Sequence, residues 1–224
     1  MEKIQRASRR ELLGWAMFDF ANSSYTTVII TVVFCIIFPR IVVGDGPEYR
    51  LGNLLWSTAL SLSYLVVLLS APVLGAIMDY TGSKKKFLFG SYLLTVIATA
   101  ALFFVGPGSI ALGMLLIILS NIGFSCSESF VSSFLPDLGP PEDLGKISGY
   151  AWSLGYFGGL ISTAIVIFGL NAGVYTLENF SNLRLVGPVT GLFFLLAAIP
   201  TFLWVKERTV HRPLPVNESY FAVG

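Results

Sequence analysis

The chain has 224 residues, of which 54% are hydrophobic and only 12% are charged, and its formal net charge is +1. A soluble domain carries about 25% charged residues, so this composition excludes an ordinary soluble protein and indicates a protein of the lipid bilayer. The near-neutral charge and the lack of a basic helix argue against a nucleic-acid partner.

Six apolar stretches are long enough to cross a bilayer, and none has a Lys or Arg in its interior. About 20 apolar residues in a helix span the hydrocarbon core of about 30 Å. The predicted helices comprise residues 14–38, 52–78, 87–106, 109–134, 146–170 and 185–206. We therefore predict an all-α, polytopic membrane protein with six transmembrane helices. The bundle occupies residues 1–206, and residues 207–224 form a polar cytoplasmic tail or a truncated linker.

The basic residues predict the orientation of the bundle. Eleven of the 14 Lys and Arg residues fall on one predicted side, in the N-terminal arm, the second and fourth loops and the tail. The other side has Arg40, Arg50 and Arg184. Because cytoplasmic loops carry the excess of Lys and Arg, we expect both termini to be cytoplasmic, in the cell (inner) membrane.

The first predicted helix contains a polar stripe. Asp19, Asn22 and Thr26 are spaced by three and four residues, which places them on one helical face. A polar face within a membrane must meet protein or water instead of lipid. The stripe predicts either a site for a proton, ion or substrate, or a structural hydrogen-bond network between helices.

The most specific motif of the chain lies in the loop between the second and third predicted helices. It consists of Gly75, Asp79, Gly82, Lys84 and Lys85. This pattern resembles the cytoplasmic motif between the second and third helices of the major facilitator superfamily. The resemblance implies that these residues act in a cytoplasmic gate. The family usually has Arg after the Asp, whereas this chain has Tyr80.

The fourth predicted helix has a matching stripe that includes Asn121 and Glu128. At 1.5 Å per residue, Asp19 and Glu128 both lie roughly 8–9 Å from the same membrane boundary, so the two acids share a depth. No basic residue is placed to neutralise either acid. They are therefore predicted to be protonated, to pair with a bound cation or to meet a partner chain. The plain alternative for Glu128 is an acid in a water-filled vestibule.

The fifth predicted helix is rich in glycine. Gly145 and Gly149 form one pair at a spacing of four, and Gly155 and Gly159 form another, with Gly158 beside it. Such pairs let helices approach closely. We expect this helix to provide a packing surface, which in a transporter would also be a rocking or gating interface.

Three further segments narrow the resemblance. Residues 14–25, 134–137 and 148–159 are similar to one branch of the superfamily, the autophagy-related vacuolar amino-acid effluxers and their bacterial relatives. Such proteins have about twelve helices in two halves, and this chain resembles the N-terminal half. The resemblance implies a 3+3 inverted repeat, in which the first and fourth helices are counterparts. Each of these helices holds one acid.

These patterns predict a transporter that moves a small polar solute, such as an amino acid, by alternating access. Asp19 and Asn22 would bind the substrate or a coupling proton or cation, with Glu128 as a second site in the cavity. A whole carrier would need a homodimer or a second six-helix half. A non-transporting scaffold or assembly subunit, or an inactive fragment, is the alternative. No nucleophile, metal-ligand cluster or cofactor motif indicates an enzyme.

Overall fold

The computed structural model describes residues 6–44, 46 and 48–208. Six helices in this part of the chain are long and apolar enough to span a membrane, which confirms the all-α prediction. They are α1 (Arg9–Val43), α2 (Arg50–Thr81), α3 (Lys84–Phe104), α4 (Ile110–Asp137), α5 (Pro141–Gly169) and α6 (Phe180–Trp204). Most of the predicted tail, from residue 209 onward, lies outside the described residues, so the boundary at 206 stays a prediction.

Helices α1 and α5 begin before their apolar stretches because residues that favour the start of a helix precede those stretches. The side chain of Ser8 accepts a hydrogen bond from the backbone N–H of Glu11 at 3.3 Å, so α1 begins at Arg9 instead of residue 14. Pro141 occupies the first turn of α5, where its missing N–H costs nothing. Helix α5 therefore begins five residues before the predicted boundary of 146.

Two of the spanning helices are irregular. Helix α1 changes from α-helical to π-helical geometry over Tyr25–Val32 and again over Phe38–Val43. Helix α5 ends in π-helical geometry over Ile165–Gly169. Such π-helical segments are rare and often occur at functional sites. Of the polar stripe, Thr26 lies in the first π-helical segment, and Asp19 and Asn22 precede it in the regular part of α1.

The packing of the helices follows a pseudo-symmetry. Helix α1 packs on α5 as α4 packs on α2, and α3 packs on α4 as α6 packs on α1. Exchanging α1 with α4, α2 with α5 and α3 with α6 leaves this set of neighbours unchanged, and α3 packs on α6 in both cases. This relation is the one that a 3+3 inverted repeat requires.

Buried charges join the helix ends on the side where the described chain begins and ends. Glu11 is 1% exposed and forms an ion pair with Arg208 at 2.6 Å. Arg208 also donates to the carbonyl of Asp137 at 2.8 Å, and the carboxylate of Asp137 pairs with Lys84 at 3.1 Å. We call these four residues the terminal clasp. It ties the start of α1, the start of α3 and the end of α4 to the segment after α6.

Candidate solute-binding site

A cavity of about 430 Å³ lies between α1, α4 and α5. Four of the predicted binding residues line it: Asp19, Asn22 and Thr26 from α1, and Glu128 from α4. The polar stripe of α1 therefore faces protein and cavity instead of lipid, since a polar face in contact with hydrocarbon would be costly.

A hydrogen bond links the two polar stripes. The Nδ2 atom of Asn22 donates to Oε1 of Glu128 at 2.5 Å, which ties α1 to α4. Asn22 is 2% exposed, and its Oδ1 atom has no hydrogen-bond partner among the described residues. The amide nitrogen therefore holds Glu128 in position, while the amide oxygen of Asn22 has no partner in the described part of the chain.

Among the described residues, Asp19 has no charged partner of opposite sign. Its side chain lines the cavity and interacts electrostatically with Glu128, a group of the same sign. The ion pairs between described residues join other side chains, at Arg6, Arg50, Lys84 and Arg208. Two carboxyl groups thus line one cavity that no Lys or Arg of the described residues borders. Such an arrangement can hold a proton or a positively charged group.

Asn121 lies apart from this cavity. It is fully buried, and its Nδ2 atom donates to Oγ of Ser63 at 2.7 Å, across the contact between α4 and α2. Seven residues separate it from Glu128, about 10 Å along the helix axis. Asn121 therefore shares a helical face with Glu128 but does not border the cavity.

Glycines bring α5 against the polar face of α1. A Cβ atom at Gly155 would lie 2.9 Å from Oγ of Ser23, and one at Gly159 would lie 2.6 Å from Oγ1 of Thr27. A Cβ atom at Gly158 would overlap the backbone of Phe20. These three glycines therefore form the close helix contact that their spacing predicts.

The other glycines singled out in the sequence behave differently. No heavy atom lies within 4 Å of a Cβ atom built at Gly145, Gly149 or Gly75. The close contacts expected at Gly145 and Gly149 are therefore not formed with the described residues, because both positions are exposed.

Two aromatic residues of the cavity were not predicted. Trp152 and Tyr156 line it from α5, with ring centroids 5.8 Å apart and ring planes at 82°. Their spacing contains a signal: residues 152, 155, 156, 159 and 160 repeat at intervals of three, one, three and one. This pattern is typical of one helical face, and all five residues border the cavity.

The predicted gating motif lies at the end of α2 and the start of α3, and none of its residues borders the cavity. Gly82 ends α2 with a φ of +62°, a conformation that favours glycine. Asp79 is exposed, and its side chain has no ion pair or hydrogen bond with a described residue. Asp79 therefore makes no side-chain contact of this kind with the start of α3 in the described part of the chain.

The lysines of the motif begin a helix instead of extending a loop. Lys84 is 9% exposed and donates to the carbonyl of Ser133 at 2.9 Å, in addition to its ion pair in the terminal clasp. Lys85 donates to the carbonyl of Phe202 at 3.0 Å, and its backbone N–H donates to Glu207 at 3.1 Å. Both lysines thus bind α3 to other helix ends.

The fold and the cavity define an integral membrane protein with the helix arrangement of a transporter half. A family model described as "Vacuole effluxer Atg22 like" matches residues 55–224. The chain is 32% identical over 200 residues to the "Uncharacterized MFS-type transporter YxiO" of Bacillus subtilis (strain 168), a match that covers 87% of this chain. The chain belongs to the Atg22-like vacuole effluxer family, which is of the major facilitator type. Membership of this family points to a non-enzyme.

The match to the Bacillus subtilis relative covers only part of that protein. The chain spans about half of the curated relative, because the aligned part covers 46% of that protein. No solved structure matches the chain. Within the described ranges, no group of three or more His, Cys, Asp and Glu residues could hold a metal ion.

Proposed function

We propose that this chain forms part of a carrier that moves a small polar solute across the membrane by alternating access. The observation that supports the proposal most is the cavity that Asp19 and Glu128 both line, with no Lys or Arg among its described lining residues. Acids within a membrane are costly and usually mark a transport pathway or binding site. Asp19 and Asn22 bind the solute or a coupling proton or cation, Thr26 lines the path, and Glu128 is the second acidic site.

The proposed solute class is amino acids or metabolites of similar size and polarity. The family description as a vacuole effluxer supports a carrier that releases a solute from a compartment, and the resemblance of residues 14–25 supports amino acids. Asp79 and Gly82, at the end of α2, act in the gate on that side. The glycine contact between α5 and α1 is the surface along which the helices move.

A complete carrier needs a second six-helix unit, either another copy of this chain or a separate half. The aligned part covers 46% of the relative, so that protein has room for a second unit of this size. The exposed apolar side chains on α2 and α5, among them Leu68, Leu69 and Phe157, support the pairing. The cavity then lies between the two units, as in parallel repeats related by an axis along the membrane normal.

The experiment is solute counterflow with the chain reconstituted into liposomes. Vesicles loaded with an unlabelled amino-acid mixture should accumulate labelled amino acids, and Asp19→Asn should abolish the signal at equal protein incorporation. Glu142→Gln makes the same carboxyl-to-amide change on an exposed residue away from the cavity and should leave the rate unchanged. Wild-type flux with Asp19→Asn would refute the role of Asp19. Absence of flux in wild-type vesicles would favour a scaffold.

A further inference from the structure

The walls of the cavity select among solutes by charge. Asp19 and Glu128 border it, and no Lys or Arg of the described chain does. An anionic solute would therefore meet two carboxyl groups and no counter-charge. A solute with a net positive charge would be attracted by both acids.

Asn22 adds an independent indication. It borders the cavity, is 2% exposed and uses its Nδ2 atom on Glu128, while its Oδ1 atom has no partner among the described residues. A buried acceptor without a donor costs about 1–3 kcal/mol. The N–H group of a bound ammonium ion would satisfy it, whereas a carboxylate group has no donor to offer.

The aromatic wall favours an organic cation over a metal ion. Trp152 and Tyr156 are 68% and 66% exposed and meet nearly at right angles, so two neighbouring sides of the cavity present aromatic surface. Aromatic faces attract ligand cations and form the cages that recognise ammonium groups. Apolar substituents of an organic ammonium ion would also contact these rings.

We propose that the solute bound here is an organic ammonium ion with a net positive charge. Its charge lies beside Asp19, Glu128 and the free oxygen of Asn22. Its substituents contact Trp152 and Tyr156. This inference rests on the proposed function, because it concerns the same cavity, and it narrows the solute from amino acids in general to their cationic relatives.

Three solutes of one skeleton test the charge preference. The chain in lipid nanodiscs is titrated by calorimetry, at neutral pH, with L-alanine methyl ester, L-alanine and N-acetyl-L-alanine, which are a cation, a zwitterion and an anion. We expect the ester to bind more tightly than the N-acetyl compound by about tenfold or more. Equal or tighter binding of alanine or N-acetylalanine would overturn the inference, as would a lack of binding by the ester.

Variants of the aromatic wall test the second half of the inference. Trp152→Leu should weaken binding of the ester by about three- to thirtyfold, and Trp152→Phe should retain most of the affinity. Tyr150→Leu is the matched control, since Tyr150 is exposed on α5 but does not border the cavity. Unchanged affinity with Trp152→Leu, or sodium displacing the ester at equal concentration, would overturn the inference.

Counterflow separates this inference from the proposed function. Flux of alanine without preference for the ester would leave the carrier intact and overturn the ammonium preference. Tight, Trp152-dependent binding of the ester without any flux would support the ammonium site and refute transport.

Discussion

At the scale of single residues, Asn22 and Asn121 show how the same side chain serves two purposes. Both amides are buried, and each has an Oδ1 atom without a partner among the described residues. Asn22 holds Glu128 at the edge of a cavity, whereas Asn121 joins α4 to Ser63 of α2 in a packed contact. The two residues should therefore differ in function when they are changed in the same way.

The first prediction concerns this pair. Asn22→Leu removes the hydrogen bond to Glu128 and should weaken solute binding by about tenfold or more, because hydrogen bonds to charged groups contribute about 1.5–3 kcal/mol. Asn121→Leu should lower the unfolding temperature while leaving the dissociation constant within about threefold of wild type. Calorimetric titration and thermal unfolding of both variants measure the two effects. Equal loss of affinity in both variants would contradict the assignment.

At the scale of helices, the packing of α5 against α1 depends on which glycines face the neighbouring helix. Gly158 lies directly against the backbone of Phe20, whereas Gly149 on the same helix has open space around it. The residues are nine positions apart, or two and a half turns, so they lie on opposite faces. From the sequence alone, either glycine could be expected to contact a neighbouring helix.

The second prediction follows from this difference. Gly158→Ala should destabilise the fold by about 1–3 kcal/mol, because the added methyl group overlaps backbone atoms that cannot move aside without separating the helices. Gly149→Ala is the matched control and should change stability by no more than about 0.5 kcal/mol. Unfolding in detergent, followed by circular dichroism, measures both. A stable Gly158→Ala variant would show that α5 and α1 are less closely packed.

The third prediction concerns the helix ends. Lys84→Met should destabilise the fold by about 1–3 kcal/mol, because Asp137 and the carbonyl of Ser133 lose their shared donor. Lys86→Met changes a neighbouring but exposed lysine and should have an effect within about 0.5 kcal/mol. The comparison uses the same unfolding measurement. Equal stability of the two variants would contradict a structural role for the terminal clasp.

At the scale of the whole molecule, the six helices leave α2 and much of α5 uncovered. Large apolar side chains on both helices are exposed, including Leu54, Leu68 and Leu69 on α2 and Phe157 and Leu160 on α5. Lipid covers such surfaces in a membrane without cost. A second six-helix unit would cover them as well and would close the open side of the cavity.

The fourth prediction is the mass of the complex. Extraction directly into lipid nanodiscs should yield particles that contain two chains of 24.3 kDa, or one chain with a partner of similar helix content. Mass photometry and native mass spectrometry distinguish these two results. A single chain that catalyses counterflow by itself would refute the need for a second unit.

The fifth prediction is the orientation. In a background without Cys35 and Cys126, Leu177→Cys places a thiol between α5 and α6, and Glu142→Cys places one at the start of α5. A membrane-impermeant maleimide should label the first variant in intact cells and the second only after lysis, since basic loops stay in the cytoplasm. The reverse pattern would show that the termini are outside.

The sequence by itself determined the membrane class, the number of helices and the polar stripe of α1. Each of these depends on local composition and on the helical repeat, because an apolar stretch of fixed length has one stable state in lipid. Only the tertiary structure decided which members of a stripe line the cavity. In the tertiary structure Asn22 lies beside Glu128, and Asn121 lies beside Ser63. Gly158, and not Gly149, contacts α1. Which residues come into contact depends on where neighbouring helices cross and how each is rotated about its axis. Residues that are distant in the chain determine both.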